Sequence, residues 1–229
     1  MPILDGHLNC QKIDFNLTAI RIQSLQLSFN TQSRLNFPNW TVDKQSEALI
    51  LGPSGSGKTT LLHLLSGLVS PSNGEIEVNG YKLHEMNGRQ LDKFRKSNVG
   101  IVFQQPHLIK SLTVMENLQL ARYLGNQKQD DKWIREIIDH LNLAGIKDSH
   151  VSRISQGQAQ RVAIARSIMN KPSVLFGDEP TASLDDENCE KVIRLLKQEA
   201  KLCGATLIIA THDQRVKREF DHQLVLKPQ

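Results

Sequence analysis

The 229-residue sequence predicts an α/β fold: a mostly parallel, covered sheet, a small antiparallel β layer and a helical segment. Three observations lead there. Short apolar runs of β character alternate with stretches of helical periodicity, the pattern of a sheet with helices on its faces. The first and last of the β-like runs alternate in polarity, as strands of a half-exposed antiparallel layer do. A glycine-rich loop sits between an apolar strand and an apolar helix, the place where α/β folds bind phosphate.

In order, strands are expected at residues 20–27, 47–51, 99–103, 173–176, 205–210 and 222–226, each short, apolar and bounded by turn residues. Helices are expected at 59–68, at 131–143, where Ile134, Ile137, Ile138 and Leu141 recur at helical spacing, and at 158–169 and 186–202. The runs at 20–27 and 222–226 are assigned to the antiparallel layer. Residues 1–17 carry no periodicity and read as an N-terminal extension to one domain over 18–229.

Lys and Arg number 28 against 24 Asp and Glu, so the net charge of +4 is a mild excess that suits ATP or anionic headgroups and gives no reason to expect nucleic acid. Cys10, Cys189 and Cys203 are odd in number and form no C-x-x-C pair, which argues against a disulfide framework or a zinc site and for a reducing compartment. The N-terminus lacks the basic and apolar regions of a signal peptide. No run approaches the roughly 18 apolar residues of a membrane span, so membrane association is expected through a partner.

Residues 52–60 read Gly-Pro-Ser-Gly-Ser-Gly-Lys-Thr-Thr and match G-x-x-x-x-G-K-[ST] between the strand at 47–51 and the helix that follows. Gly52, Pro53, Ser54, Gly55, Ser56, Gly57, Lys58, Thr59 and Thr60 are therefore the predicted phosphate-binding residues of a P-loop NTPase core. Backbone amides and the helix N-terminus would face the anion, Lys58 would reach the β- and γ-phosphates, and Thr59 would ligate Mg²⁺. A chance glycine-rich turn is the alternative, and the flanking strand and helix weigh against it.

Further along, the apolar strand at 173–176 runs into Gly177, Asp178, Glu179 and Pro180. This places two carboxylates at the carboxyl end of the sheet, where α/β ligands bind. Asp178 is expected in the Mg²⁺ shell, and Glu179 is left free to orient and polarise the attacking water. A solvated acidic turn is the alternative, and the phosphate loop in the same chain weighs against it.

Taken together and in this order, residues 52–60, 154–158 (Ile-Ser-Gln-Gly-Gln), 178–180, 182–185 (Ala-Ser-Leu-Asp) and 211–213 (Thr-His-Asp) resemble the ATPase subunits of ABC transporters. The resemblance spans about residues 18 to 226 and is closest to the lipoprotein-release and macrolide-export ATPases. It implies a helical signature subdomain inserted at about 105–170. It also implies that Ser155, Gly157 and Gln158 contact the nucleotide bound to a second copy in a head-to-tail dimer, that Gln104 touches Mg²⁺ and water, that His212 meets the γ-phosphate, and that Asp185 communicates across the dimer. Phe29 is the candidate for stacking on adenine, with an ordinary core aromatic as the alternative.

One departure stands out: Gln156 replaces the first glycine of the family's Ser-Gly-Gly-Gln. A left-handed backbone at this position would burden a glutamine sterically. A plain polar helix N-cap is the structural alternative for the whole stretch.

What the resemblance implies in function is an ATP-hydrolysing subunit that uses ATP and Mg²⁺. Its expected partners are a second copy of itself and a transmembrane permease, at the cytoplasmic face of the inner membrane. Residues 106–118 resemble a permease docking surface, with subdomain core as the alternative. A soluble ATPase of the same type acting on ribosomes or DNA is the competing reading, and the single phosphate loop and absence of heptads weigh against it. A subunit that binds ATP without turnover is a third.

Overall fold

The computed structural model of the chain describes residues 17–28, 34–126, 130–182 and 184–228. In chain order the strands are β1 (Thr18–Ser28), β2 (Arg34–Asn36), β3 (Trp40–Asp43), β4 (Glu47–Leu51), β5 (Asn73–Val78), β6 (Tyr81–Lys82), β7 (Val99–Val102), β8 (Val174–Asp178), β9 (Thr206–Thr211) and β10 (His222–Val225). The helices are α1 (Lys58–Leu65), α2 (Gly88–Asn98), α3 (Val114–Leu124), α4 (Asp131–His140), α5 (Gln156–Ile168) and α6 (Asp186–Cys203).

Side chains alternate between the two faces of a strand, and here both faces are apolar. Leu49, Leu51, Leu175, Leu207 and Ile209 enter one core with α3 to α6; Ala48, Ile50, Val174, Phe176, Ile208 and Ala210 enter another with α1, α2 and the antiparallel layer. The sheet they belong to is parallel throughout, in the order β10-β4-β9-β8-β7. The second sheet is antiparallel, ordered β2-β1-β5-β6 with β3 also paired to β1.

β1 lies in the antiparallel layer as expected, but the last strand does not. β10 pairs in parallel with β4 at the edge of the central sheet. Its alternation has a different origin: an edge strand with one face open, where Leu224 is buried and Val225 is 61% exposed, shows the same period as an antiparallel one.

Helix ends also differ from the sequence reading. α1 stops at Leu65 and not at 68, because residues 66–68 fold back and the Leu68 amide bonds the His63 carbonyl at 2.9 Å. α4 stops at His140, short of 143, where Asn142 takes a left-handed φ of 53° and the Leu143 amide returns to Ile138 O. α5 begins two residues earlier than predicted because Ser155 caps it. α2 and α3 were not expected as helices, although each opens on a capping box, Asn87 with Gln90 and Thr113 with Glu116.

The parallel register sets up the site. Leu51 is level with Thr211, and Asp178 with Ala210, so the segments that follow β4, β8 and β9 leave the sheet side by side at its carboxyl edge. Among the described residues, no helix is long and apolar enough to cross a membrane.

Candidate active site at the carboxyl ends of β4, β8 and β9

The loop after β4 is shaped by two glycines. Gly57 holds φ 91° and ψ 12° as the N-cap of α1, a left-handed turn that favours glycine and points the helix N-terminus back at the loop. At Gly52 a Cβ would lie 2.4 Å from Ser56 Oγ and 2.8 Å from the Leu226 carbonyl oxygen, so a side chain would meet backbone. The first turn of α1 carries no acidic side chain, leaving its amides to an anion. Gly55, Pro53 and Ser54 are exposed, and the buried Ser56 Oγ has no hydrogen-bond partner among the described residues.

Lys58, the first residue of α1, is 6% exposed. Its ammonium donates to the Pro53 carbonyl at 3.1 Å and lies 3.3 Å from Glu179 Oε1. Thr59, next along, donates from Oγ1 to Asp178 Oδ1 at 3.0 Å. Burial pushes the Asp178 carboxyl up, and the Thr59 hydroxyl offsets this only in part. A hydroxyl and a carboxylate this close form a hard oxygen pair at the foot of the phosphate loop, and that donor chemistry fits Mg²⁺. Thr60 is half-buried in the same turn.

Glu179 is the most constrained residue here. Its backbone is left-handed at φ 48°, a conformation that costs a glutamate on the order of 1 to 2 kcal/mol. The Glu179 amide bonds the Ala210 carbonyl at 2.8 Å and so ties the turn to β9. Strain of this kind gathers where a side chain must be aimed.

The carboxylate is enclosed by donors. Oε2 accepts from Thr211 Oγ1 at 2.8 Å and from the His212 amide at 3.3 Å; Oε1 faces His212 Nδ1 at 2.9 Å. Burial pushes the Glu179 carboxyl up, but the bonds from His212 and Thr211 together with the Lys58 charge outweigh it and hold the group below its ordinary range. With Nδ1 turned to the carboxylate, His212 Nε2 is left to meet another group, as a donor when the ring carries both protons. The cluster thus holds a buried cation, an ionised carboxylate and an imidazole within one hydrogen-bonding shell, which can position a triphosphate and polarise a water.

Residues 155–158 lie elsewhere on the chain's surface. Ser155 is the N-cap of α5: its Oγ accepts from the Gln158 amide at 3.3 Å, while its own amide donates to Gln158 Oε1 at 2.8 Å. No hydrogen bond joins them to residues 52–60 among the described residues. Gln156 is the first residue of α5 and does not have a positive φ, so the steric burden considered from the sequence does not arise. An added Cβ at Gly157 would meet nothing within 4 Å.

Gln104, exposed just past β7, lines a cleft of about 310 Å³ with Gln156, Gly157 and Gln160. No hydrogen bond ties it to Asp178 or Thr59 among the described residues. The segment after it is anchored by Arg166 of α5, which donates to the carbonyls of Pro106 at 2.9 Å and His107 at 2.6 Å. Gln160 likewise donates to the Pro180 carbonyl at 3.2 Å, joining α5 to the turn beyond Glu179.

Asp185 caps α6, accepting from the Asn188 amide at 2.8 Å and from Asn188 Nδ2 at 2.9 Å. Phe29 lies outside the described residues, as do residues 1–16 of the proposed extension. One contributor was not singled out from the sequence: Thr211 was read only as part of its motif.

Comparison with known proteins identifies the family. The ABC transporter family model matches residues 35–182. The lipoprotein-releasing system ATP-binding protein LolD of Treponema denticola is 38% identical over 187 residues, covering 80% of this chain and 82% of that protein. The bacitracin export ATP-binding protein BceA of Halalkalibacterium halodurans is 35% identical, covering 83% of this chain and 76% of its own. Among solved structures, the dimeric cassette MJ0796, a protein of Methanocaldococcus jannaschii, superposes with a TM-score of 0.79 at 30% identity, covering 91% of this chain and 94% of that one. The same cassette has a post-hydrolysis structure with ADP and Pi, of equal similarity. This chain belongs to the ABC transporter family, as an ATP-binding and ATP-hydrolysing subunit.

Proposed function

We propose that two copies of this chain close head to tail on two ATP molecules, and that the closure drives a separate membrane permease. The observation that carries this reading is the junction of Lys58, Glu179, Thr211 and His212 at the mouth of the phosphate loop. Residues 18–229 act as the ATPase domain, with the helical part at about 105–170 turned to the partners.

In the closed dimer residues 52–60 cradle the phosphates and Lys58 holds the β- and γ-oxygens. Glu179 accepts a hydrogen bond from the attacking water and takes its proton, while His212 Nε2 meets the γ-phosphate. Thr59, Asp178 and Gln104 would hold Mg²⁺, which would supply the positive charge that neutralises the phosphate oxygens. Ser155, Gly157 and Gln158 of each copy cap the ATP of the other, with the N-terminus of α5 facing the anion. Asp185 sits where the two copies meet. Hydrolysis removes the γ-phosphate contacts that favour the closed form, so nucleotide state becomes rigid-body motion.

The permease docks on the surface around residues 106–118, where Ile109 is 43% exposed. The resemblance to lipoprotein-release and macrolide-export ATPases, together with the names of the relatives, supports a permease of that type and a peripheral position on the cytoplasmic face of the inner membrane. Tagged Glu179→Gln protein, captured with ATP and Mg²⁺ from gently solubilised membranes, tests this. Co-purification of a multi-span protein is the expected result. Reproducible capture of ribosomal or DNA-associated proteins with no membrane protein would overturn it in favour of a soluble mechanical ATPase.

A further inference from the structure

Outside the shell around Glu179, a dense polar network centres on Arg215. Its Nε donates to Asp213 Oδ1 at 2.9 Å and Oδ2 at 3.1 Å; one terminal nitrogen donates to Asp213 Oδ2 at 2.7 Å and to the Leu184 carbonyl at 3.2 Å; the other reaches Asp186 Oδ1. One planar fork therefore grips three points: the segment just past His212, the residue before Asp185, and the first residue of α6.

Asp213 continues the path. Its amide donates to Thr211 Oγ1 at 3.0 Å, and Thr211 donates to Glu179 Oε2 at 2.8 Å. Its carboxylate also accepts from Thr181 Oγ1 at 3.3 Å, in the turn beyond Glu179. The hydrogen bonds run without a break from the start of α6 through Arg215 and Asp213 to the carboxylate of Glu179.

We propose that Arg215 is a positioning residue for ATP hydrolysis, holding the loop that carries His212 and the segment that carries Asp185 in one fixed relation. The inference rests on the roles given to His212 and Asp185 above. A single exposed ion pair contributes little to stability, but a guanidinium engaged in a bidentate pair and two further contacts fixes geometry in a way an isolated pair does not. The Arg215 bonds hold the Asp213 carboxyl down to about 2, so the pair stays ionised throughout the working range. Lysine has a point charge in place of the fork and cannot span the three acceptors. Displacing a catalytic group by about 1 Å can cost up to roughly 10²-fold in rate, which gives the network a measurable consequence.

The test compares full-length Arg215→Lys, Arg215→Ala and Asp186→Asn with the parent protein in steady-state hydrolysis of MgATP. The expected result is a kcat about tenfold lower in both Arg215 variants with KM for ATP unchanged within about twofold, the signature of a lost contribution to the reaction and not to binding. Guanidinium chloride at tens of millimolar should restore part of the Arg215→Ala rate, and sodium chloride at the same strength should not; a merely structural role predicts no such rescue. Asp186 is 88% exposed, so Asp186→Asn keeps the fold and should lower kcat about threefold; it decides the matter if Arg215→Ala does not fold. Folded variants with parental kcat, or with raised KM and parental kcat, would overturn the proposal. Glu179→Gln serves as the reference: hydrolysis lost there but intact in the Arg215 variants sinks this inference alone, whereas hydrolysis retained in Glu179→Gln sinks the reading beneath it.

Discussion

Lys58 Nζ stands 3.3 Å from Glu179 Oε1, with the two side chains only 6% and 14% exposed. A cation of the phosphate loop is thus paired with the carboxylate that ends the second motif, inside a site where water screens little. On the function proposed above, a γ-phosphate that draws Lys58 to its own oxygens would free Glu179 to address water, so that binding itself would ready the base.

Replacing Lys58 by alanine removes the ammonium from both partners. ATP affinity should fall at least about tenfold, in line with the ~1.5 to 3 kcal/mol of a charged hydrogen bond, and hydrolysis should be lost. Equilibrium titration with a fluorescent ATP analogue measures the first; parental affinity in Lys58→Ala would contradict the assignment.

The same shell fixes a pH dependence. Glu179 titrates below the ordinary glutamate range, so its ionised form persists as pH falls through about 4.3. Its depressed carboxyl stabilises the fold above the unfolded-state value, and that contribution is lost as pH falls through the folded one. His212→Ala removes the imidazole bond that depresses it, so the titration should move to higher pH. Carbon-13 NMR of the Glu179 carboxyl follows this without reference to turnover, and an unmoved titration would show that the contact at 2.9 Å has no electrostatic weight.

Gln156→Gly restores the family's residue. Because Gln156 opens a helix and does not have a positive φ, there is no strain for glycine to relieve. The expected kcat lies within about twofold of the parent, with stability lower by up to about 0.5 to 1 kcal/mol in urea denaturation. A gain of tenfold in kcat would mean that the glutamine does impede the site.

Asp185 caps α6 through two bonds to Asn188, and the Asn188 amide is the chief reason its carboxyl is held low. Asp185→Ala should therefore lower the stability of the isolated protein. Urea denaturation without nucleotide checks this. Unchanged stability would leave Asp185 a role at the dimer interface alone.

How much of this could be read from the residues follows from what each feature depends on. The phosphate loop, Asp178, Glu179 and His212 were legible because each closes an apolar strand, and parallel strands bring such ends together. The place of β10 was not, since an edge strand of a parallel sheet and a strand of an antiparallel layer share one period. The boundaries of α1 and α4 were set by local turns at residues 66–68 and Asn142 and not by periodicity. Ser155 was legible as a cap, but the innocence of Gln156 needed its backbone angle. The Arg215 network joins residues distant in sequence, and no local pattern announces it.

On the function proposed above, Glu179 performs the chemistry and ATP binding alone closes the dimer. Size-exclusion chromatography of Glu179→Gln with and without MgATP, run beside a steady-state phosphate-release assay of both proteins, tests it most directly. The expected result is hydrolysis reduced at least about 10²-fold in the variant, within the range for a general base, together with an ATP-dependent shift from monomer to dimer. Undiminished hydrolysis by Glu179→Gln, or an elution unchanged by ATP, would contradict it.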